Sequence, residues 1–271
     1  MKPLLGLVDF LKASGVDVVA NNLKVHLACN NGIEHPIDVY FAGNFKKWQV
    51  HQTKRNFQAA QVLSLIDLGQ GKWLFVGVYK ILGCKLHPKF QKHFQYSTEL
   101  LPNQDALIGR TIVHHKRTRA TYVWHRPPVT LPLIEIRQEK MSIGEFPGYN
   151  SVVLSHRRLK IVIDQKIESW YGALANIKGI YLITDTSTGR HYVGKASGED
   201  GIWQRWCDYS KNGHGGNVQL KKLMAQNDEN YNDNFQYSIL EIADTHASDE
   251  DILKRESHWM CVLQSREFGL N

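Results

Sequence analysis

No apolar run in this 271-residue chain approaches the ~18 residues that a bilayer-crossing helix needs, so no membrane span is expected. The first ten residues lack the basic start, long apolar core and small-residue cleavage site of a secretory leader. They read as a surface helix with Leu4, Val8 and Leu11 on one face. Cysteine is scarce. Cys29, Cys84, Cys207 and Cys261 lie far apart and none belongs to a CxxC pair, which excludes a zinc site built on such a pair. Scattered cysteines without a leader fit a reducing cytosol, and a cytoplasmic protein is expected. Neither an internal repeat nor a low-complexity tract is present, which sets aside repeat arrays and long disordered linkers.

Acidic side chains are scarce in one part only. Residues 1–170 carry 23 Lys and Arg against 12 Asp and Glu, net +11, whereas residues 171–271 carry 10 against 14, net −4. With 42% hydrophobic and 22% charged residues, the composition is that of a globular protein of one large or two modest domains. A basic domain joined to a mildly acidic one suggests that the first holds a polyanion and the second does something else. A basic but inert surface would give the same count.

What is present reads as two patterns. In residues 1–170, short β-rich runs cover Leu23–Ala28, Trp73–Leu82, Thr121–His125, Leu133–Arg137 and Leu159–Ile163. Turn residues separate them: Gly69-Gln70-Gly71, Pro127-Pro128 and Pro147-Gly148. Asn56–Leu68 reads as a helix, with Phe57, Ala60, Leu63 and Leu65 apolar. Many short strands predict a small barrel or a strongly bent sheet. Ile167–Ala175 reads as a connection. Beyond it come a strand (Gly179–Asp185), a turn (Thr186–Arg190), a returning strand (His191–Lys195), helices over Ile202–Tyr209 and Val218–Gln226, a strand (Phe235–Ile242) and a helix (Ser248–Leu263) opened by Ser248 as N-cap. The order is ββααβα. The expected class is α+β: a small antiparallel sheet flanked by helices in residues 171–271, preceded by a mostly β basic domain in residues 1–170.

Gly179-Ile180-Tyr181 and Tyr192-Val193-Gly194 stand on the two hairpin-linked strands. Lys195 follows the second triplet, Arg205-x-x-x-Tyr209 lies on the next helix, Glu256 on the last helix, and Asn271 follows. These residues, in this order, resemble the signature of the GIY-YIG nucleases, with valine at the centre of the second triplet. The resemblance covers about residues 175–271. It implies a metal-dependent DNA endonuclease in which Tyr181 acts as or assists the general base, Arg205 holds the scissile phosphate and Glu256 binds one metal ion. It places Tyr209 near the phosphate and has Asn271 brace the site by hydrogen bonds. Tyr192 and Lys195 complete the candidate set.

The chemistry of the residue types agrees. Phosphodiester hydrolysis needs a deprotonated water, charge stabilisation on the phosphate and help for the leaving oxygen. One carboxylate with waters suits Mg²⁺ or Mn²⁺, and an arginine offers a permanent bidentate cation. A phenol of pKa ~10 needs a nearby cation to serve as base, and Lys195 is a candidate for that cation. Each residue also has a plainer reading. The tyrosines can be sheet packing, Arg205 can pair with Asp208 or Glu199, and Glu256 can be a solvated helix residue beside Ile252 and Trp259. His214, in a glycine-rich loop, can donate a proton to the phosphate or be a surface histidine.

In the first domain, Lys46-Lys47-Trp48, Lys54-Arg55 and Lys116-Arg117-Thr118-Arg119 mix with Tyr122 and Trp124. Cations beside aromatics suggest phosphate anchoring next to base-stacking surfaces, and Tyr149 is grouped with the base-reading aromatics. The leading expectation is a site-selective, restriction-type endonuclease acting on double-stranded DNA, with the basic domain choosing the sequence or a modified base; a homodimer on DNA is compatible with it. The alternatives are a structure-specific repair or recombination nuclease, and a DNA-binding regulator built on an inactive nuclease fold.

Overall fold

The computed structural model describes residues 5–126, 130–199, 201–244 and 246–271; Leu4 and Pro127-Pro128 lie outside them. The chain divides into two compact units, residues 1–142 and 143–271. Among the described residues, no helix is long and apolar enough to cross a membrane.

The first unit contains α1 (Leu7–Ala13), β1 (Leu23–Ala28), α2 (Pro36–Phe41), α3 (Phe45–Gln49), β2 (His51–Gln52), β3 (Gln61–Gly69), β4 (Lys72–Leu86), β5 (Phe94–Leu100), β6 (Thr111–His114), β7 (Tyr122–Trp124) and β8 (Leu133–Ile136). Its sheet runs β2-β5-β4-β3-β1-β7, with β6 joining β4 to β8. β1 and β3 are parallel. β4 is the spine: Lys72–Leu74 pair with β6, and Tyr79–Leu86 pair with β5. Between these stretches Gly77 sits at φ 125°, where a Cβ would lie 2.9 Å from Leu100 Cδ1. Only glycine takes that backbone freely, so the spine bends there. The outcome among the described residues is a strongly bent, open sheet and not a closed barrel.

One expectation fails here. Residues 61–69 are strand and not helix, because β3 is covered on both faces. Leu63 and Leu65 pack with Val25 and Phe75, while Val62 joins Tyr79 and Tyr96, and Ile66 joins Leu74 and Val76. A strand buried on both faces loses its period of two and becomes a nearly continuous apolar run. α1 is the one-faced surface helix that its sequence suggests: Leu7, Val8 and Leu11 are buried, whereas Asp9, Lys12 and Ala13 are exposed.

The second unit contains β9 (Val153–Ser155), α4 (His156–Asp164), α5 (Glu168–Leu174), β10 (Lys178–Asp185), β11 (His191–Ala196), α6 (Gly201–Asn212), α7 (Val218–Ala225), β12 (Phe235–Ala243) and α8 (Asp249–Val262). The antiparallel sheet runs β11-β10-β12-β9. The ββααβα order expected from the sequence is present from β10 onward, and Ser248 Oγ caps α8 by accepting from Asp251 N.

The boundary lies near residue 142 and not at 170. β9 adds a strand beside β12, and Leu154, Leu159, Val162 and Trp170 join the second unit's core. The run 159–163, expected as strand, is inside α4, which Ser155 caps through Arg158 N. The supposed connection 167–175 is mostly α5, with Trp170 and Leu174 buried. With this boundary, residues 1–142 carry 19 basic against 9 acidic side chains, net +10, and residues 143–271 carry 14 against 17, net −3. The charge contrast survives the shift.

Candidate active site on the β10–β11 hairpin

Register sets the arrangement. Tyr181 on β10 lies opposite Gly194 on β11, and Ile183 lies opposite Tyr192. Alternate residues share a face of a strand, so Tyr181 and Tyr192 point to the same side, where α6 covers them. A Cβ at Gly194 would stand 2.5 Å from both Cζ and Oη of Tyr181. The glycine of the second triplet is therefore the space into which the Tyr181 ring lies.

On this side Tyr181, Tyr192, Tyr209 and Tyr237 share one core with Trp203 and Trp206. The Tyr181 and Tyr209 hydroxyls are hydrogen-bonded at 3.0 Å. Arg205, one turn before Tyr209 on α6, reaches the Tyr209 hydroxyl from Nη2 and the Gly215 carbonyl from Nη1, each at 3.4 Å. Its guanidinium carbon stands 5.5 Å from the Tyr209 ring centroid. Asp208 is 4.0 Å away, and the Arg205 side chain is 34% exposed. The arginine is aimed by two long contacts and tied firmly by none, which leaves its fork available to an anion.

Burial pushes the Tyr181 phenol above the ordinary range; Tyr192 adds to this and Arg205 opposes it. Burial raises Tyr209 too, helped by Tyr181 and Tyr192. Both are protonated at neutral pH. The cation beside the phenols is Arg205 and not Lys195.

Lys195 pairs across the hairpin with Ile180, which puts it on the opposite face, where α8 packs with Ile180, Val193, Ile252 and Trp259. There its Nζ meets Glu256 Oε2 at 3.4 Å, and the Glu256 side chain is only 12% exposed. The candidate residues thus form two groups on the two faces of one hairpin. Among the described residues no cluster of three or more His, Cys, Asp or Glu side chains is placed to hold a metal. A metal would have Glu256 as its carboxylate and water for most other positions, the pattern that suits Mg²⁺.

Asn271 braces the outer edge of β11. Its Oδ1 accepts from Val193 N at 2.8 Å and its Nδ2 donates to Val193 O at 2.6 Å. The side-chain amide acts as one residue of an additional strand, between Tyr192 and Gly194. Gly215 was not anticipated. It accepts from Arg205, and its own Cβ would lie 2.7 Å from Tyr209 Cε1; the glycine-rich loop 212–216 was its signal. In that loop His214 Nδ1 accepts from Gly216 N, so this nitrogen serves the loop. Tyr237, also unforeseen, packs on Tyr209 and hydrogen-bonds His156 at 3.1 Å.

In the first unit, Lys46, Lys47, Lys54, Arg55, Lys116, Arg117 and Arg119 are exposed. Arg55 lies over Phe94 at 5.3 Å, and Arg117 contacts Cys29 Sγ. The aromatics are less free than expected. Tyr122 donates to Gln52 Oε1 at 2.6 Å and stacks on the buried His26 at 4.9 Å, and Trp48 stacks on the same imidazole at 6.0 Å. Trp124 is covered by Lys24 Nζ at 4.5 Å. Tyr149 belongs to the second unit, where it donates to Ala173 O.

No family model matches the chain, and no curated protein matches it. Among solved structures, the catalytic domain of the homing endonuclease I-TevI is similar to 35% of this chain at 28% identity, with 96% of that chain covered and a TM-score of 0.27. A mutant form of the catalytic domain of the intron endonuclease I-TevI is similar over 35% of this chain at 27% identity, with 92% of that chain covered and a TM-score of 0.28.

Proposed function

We propose that the chain is a DNA endonuclease of the GIY-YIG type, with hydrolysis in residues 143–271 and DNA selection by the basic residues 1–142. The observation that carries this reading is the chain of contacts from Tyr181 through Tyr209 to Arg205, built over Gly194. It holds one partly exposed guanidinium against a protonated, water-poor wall. Such a donor, already aimed, stabilises the charge that develops on a phosphate under attack and needs no reorganisation to do so.

In this reading Arg205 is the catalytic residue that grips the scissile phosphate. Tyr181 and Tyr209 are positioning residues: their raised pKa values make them donors and not bases. Tyr192 adds to the same wall. Glu256 holds the divalent ion, Mg²⁺ or Mn²⁺, and Lys195, 3.4 Å from its Oε2, orients the carboxylate. When bound, the ion supplies an activated water and offsets phosphate charge. Residues 1–142, at net +10, supply affinity for duplex DNA and choose the site, in the manner of a restriction enzyme.

The experiment is digestion of plasmid and of modified and unmodified genomic DNA with Mg²⁺, with the cut ends sequenced. Defined ends from the wild type and none from Glu256→Gln are the expected result. Uncut DNA under all metals tried would turn the reading toward a DNA-binding regulator.

A further inference from the structure

β3 accompanies β4 only as far as Lys80, opposite Gln61. Past Ile81, whose N–H donates to Ala60 O at 2.9 Å, β4 runs on to Leu86 and pairs, among the described residues, with β5 alone, which has the two-residue β2 on its other side. The continuation is an arm that ends in the loop 87–93. No Asp or Glu occurs between Asp67 and Glu99, whereas Lys80, Lys85, Lys89 and Lys92 all do. All four lysines are exposed, and among the described residues Lys85, Lys89 and Lys92 form no salt bridge. The same arm exposes large apolar side chains: Leu82 at 55%, Leu86 at 66% and Phe90 at 50%.

The tip is a built loop. His87 N donates to His93 O at 2.8 Å, and His87 Nδ1 accepts from the N–H groups of Lys89 and Phe90. His51 Nε2 and His93 Nδ1 are hydrogen-bonded at 2.8 Å. The Phe90 ring stacks on His51 at 5.1 Å and 18°. One side of Phe90 is therefore backed by imidazole while half of the side chain stays in solvent. Lys89 and Lys92 flank it in a stretch of sequence that holds no acid from residue 68 to residue 98.

We propose that this arm is a DNA-contacting surface, with Lys85, Lys89 and Lys92 on backbone phosphates and Phe90 against the bases of duplex DNA. The inference rests on the reading of the chain as a DNA-acting protein and adds a contact surface outside the clusters at residues 46–55 and 116–119. Two-stranded ribbons enter the minor groove as well as the major groove, and apolar side chains inserted from the minor groove wedge between base steps and partly unstack them. The acid-free stretch complements a phosphate backbone, and the histidine-backed ring is ordered before DNA arrives, so little conformational entropy is lost on contact.

The test uses the full chain in metal-free buffer with a short duplex carrying 2-aminopurine, titrated at several salt concentrations. The wild type should bind with a fluorescence rise that reports unstacking. Replacing Lys85, Lys89 and Lys92 together by Gln should lower the log–log salt slope by about 2 to 3, at ~0.9 per phosphate contact. Phe90→Ala should keep the slope and lose the fluorescence rise, and Phe90→Leu should keep part of it. Matched unfolding curves show that each variant is folded. An unchanged slope and affinity in the triple variant would overturn the inference while a cutting wild type leaves the nuclease reading standing. A lowered slope with an unchanged fluorescence signal in Phe90→Ala would overturn the base contact. Binding to phosphatidylserine vesicles in place of DNA would overturn the inference and the nuclease reading together.

Discussion

The ring of Tyr181 lies across Gly194, its cross-strand neighbour, so closely that a Cβ on Gly194 would stand 2.5 Å from the phenol oxygen. The contact explains why a glycine closes the second triplet: the tyrosine of the first triplet occupies its side-chain space and thereby reaches Tyr209. Gly194→Ala should force the ring aside at a cost of about 1–3 kcal/mol, the usual penalty for overpacking a core. A lowered urea midpoint with reduced plasmid cleavage is the expected result. Wild-type stability and rate would show that the ring can move freely.

Tyr181→Phe separates positioning from base chemistry. The substitution removes one hydrogen bond, to Tyr209, worth ~1 kcal/mol net. Cleavage should fall about fivefold, with the shape of the pH–rate profile unchanged. A loss of the order of 10²–10⁴ together with a lost titration limb would mark Tyr181 as the base after all.

Arg205→Lys should not restore activity. A point charge cannot face Tyr209 Oη and Gly215 O and still present a fork to the phosphate. The rate should drop by about 10²–10³, as for the loss of an aimed donor in a hydrolase. DNA affinity should hardly change, since most basic charge lies in residues 1–142. Full activity of the lysine variant in single-turnover assays would refute the bidentate role.

Asn271→Asp keeps the acceptor for Val193 N and removes the donor to Val193 O. Stability should fall by about 1–3 kcal/mol, the range for an acceptor left without its partner, and thermal unfolding should show it. Cleavage should fall with it, because Tyr192 and Gly194 flank the braced residue.

His26 and His156 make stability depend on pH. Burial holds each down to about 4, below the ordinary ~6.5 of the unfolded chain. The folded state therefore binds fewer protons than the unfolded state in the window between these values. Stability is complete above about pH 6.5 and declines as the pH falls toward 4, by roughly 3 kcal/mol for each histidine once that window is crossed. Denaturant titrations at pH 7.5 and pH 5 measure it. A flat profile would mean that one or both imidazoles charge without unfolding.

The sequence by itself determined the hairpin and the helix order behind it, and it marked Tyr181, Tyr192, Arg205 and Tyr209 as candidates that the fold brings together, whereas Gly215 and Tyr237 joined them only through packing. Two triplets on adjacent strands, an Arg four residues before a Tyr, and a glycine-rich loop are local patterns, and local patterns survive in one dimension. Where Lys195 points was also implicit, since residues one apart on a strand face opposite ways, yet only the register with Ile180 made it plain. Three things were decided by tertiary structure alone. β3 looked helical because a sheet covered on both faces erases the strand period. Residues 143–170 looked like part of the basic half, because nothing in their composition reveals that β9 will pair with β12. The state of Tyr181 and Tyr209 depends on burial, which a sequence does not contain: an exposed phenol and a buried one are the same letter, and only the packing of α6 on the sheet raises their pKa and keeps both phenols protonated.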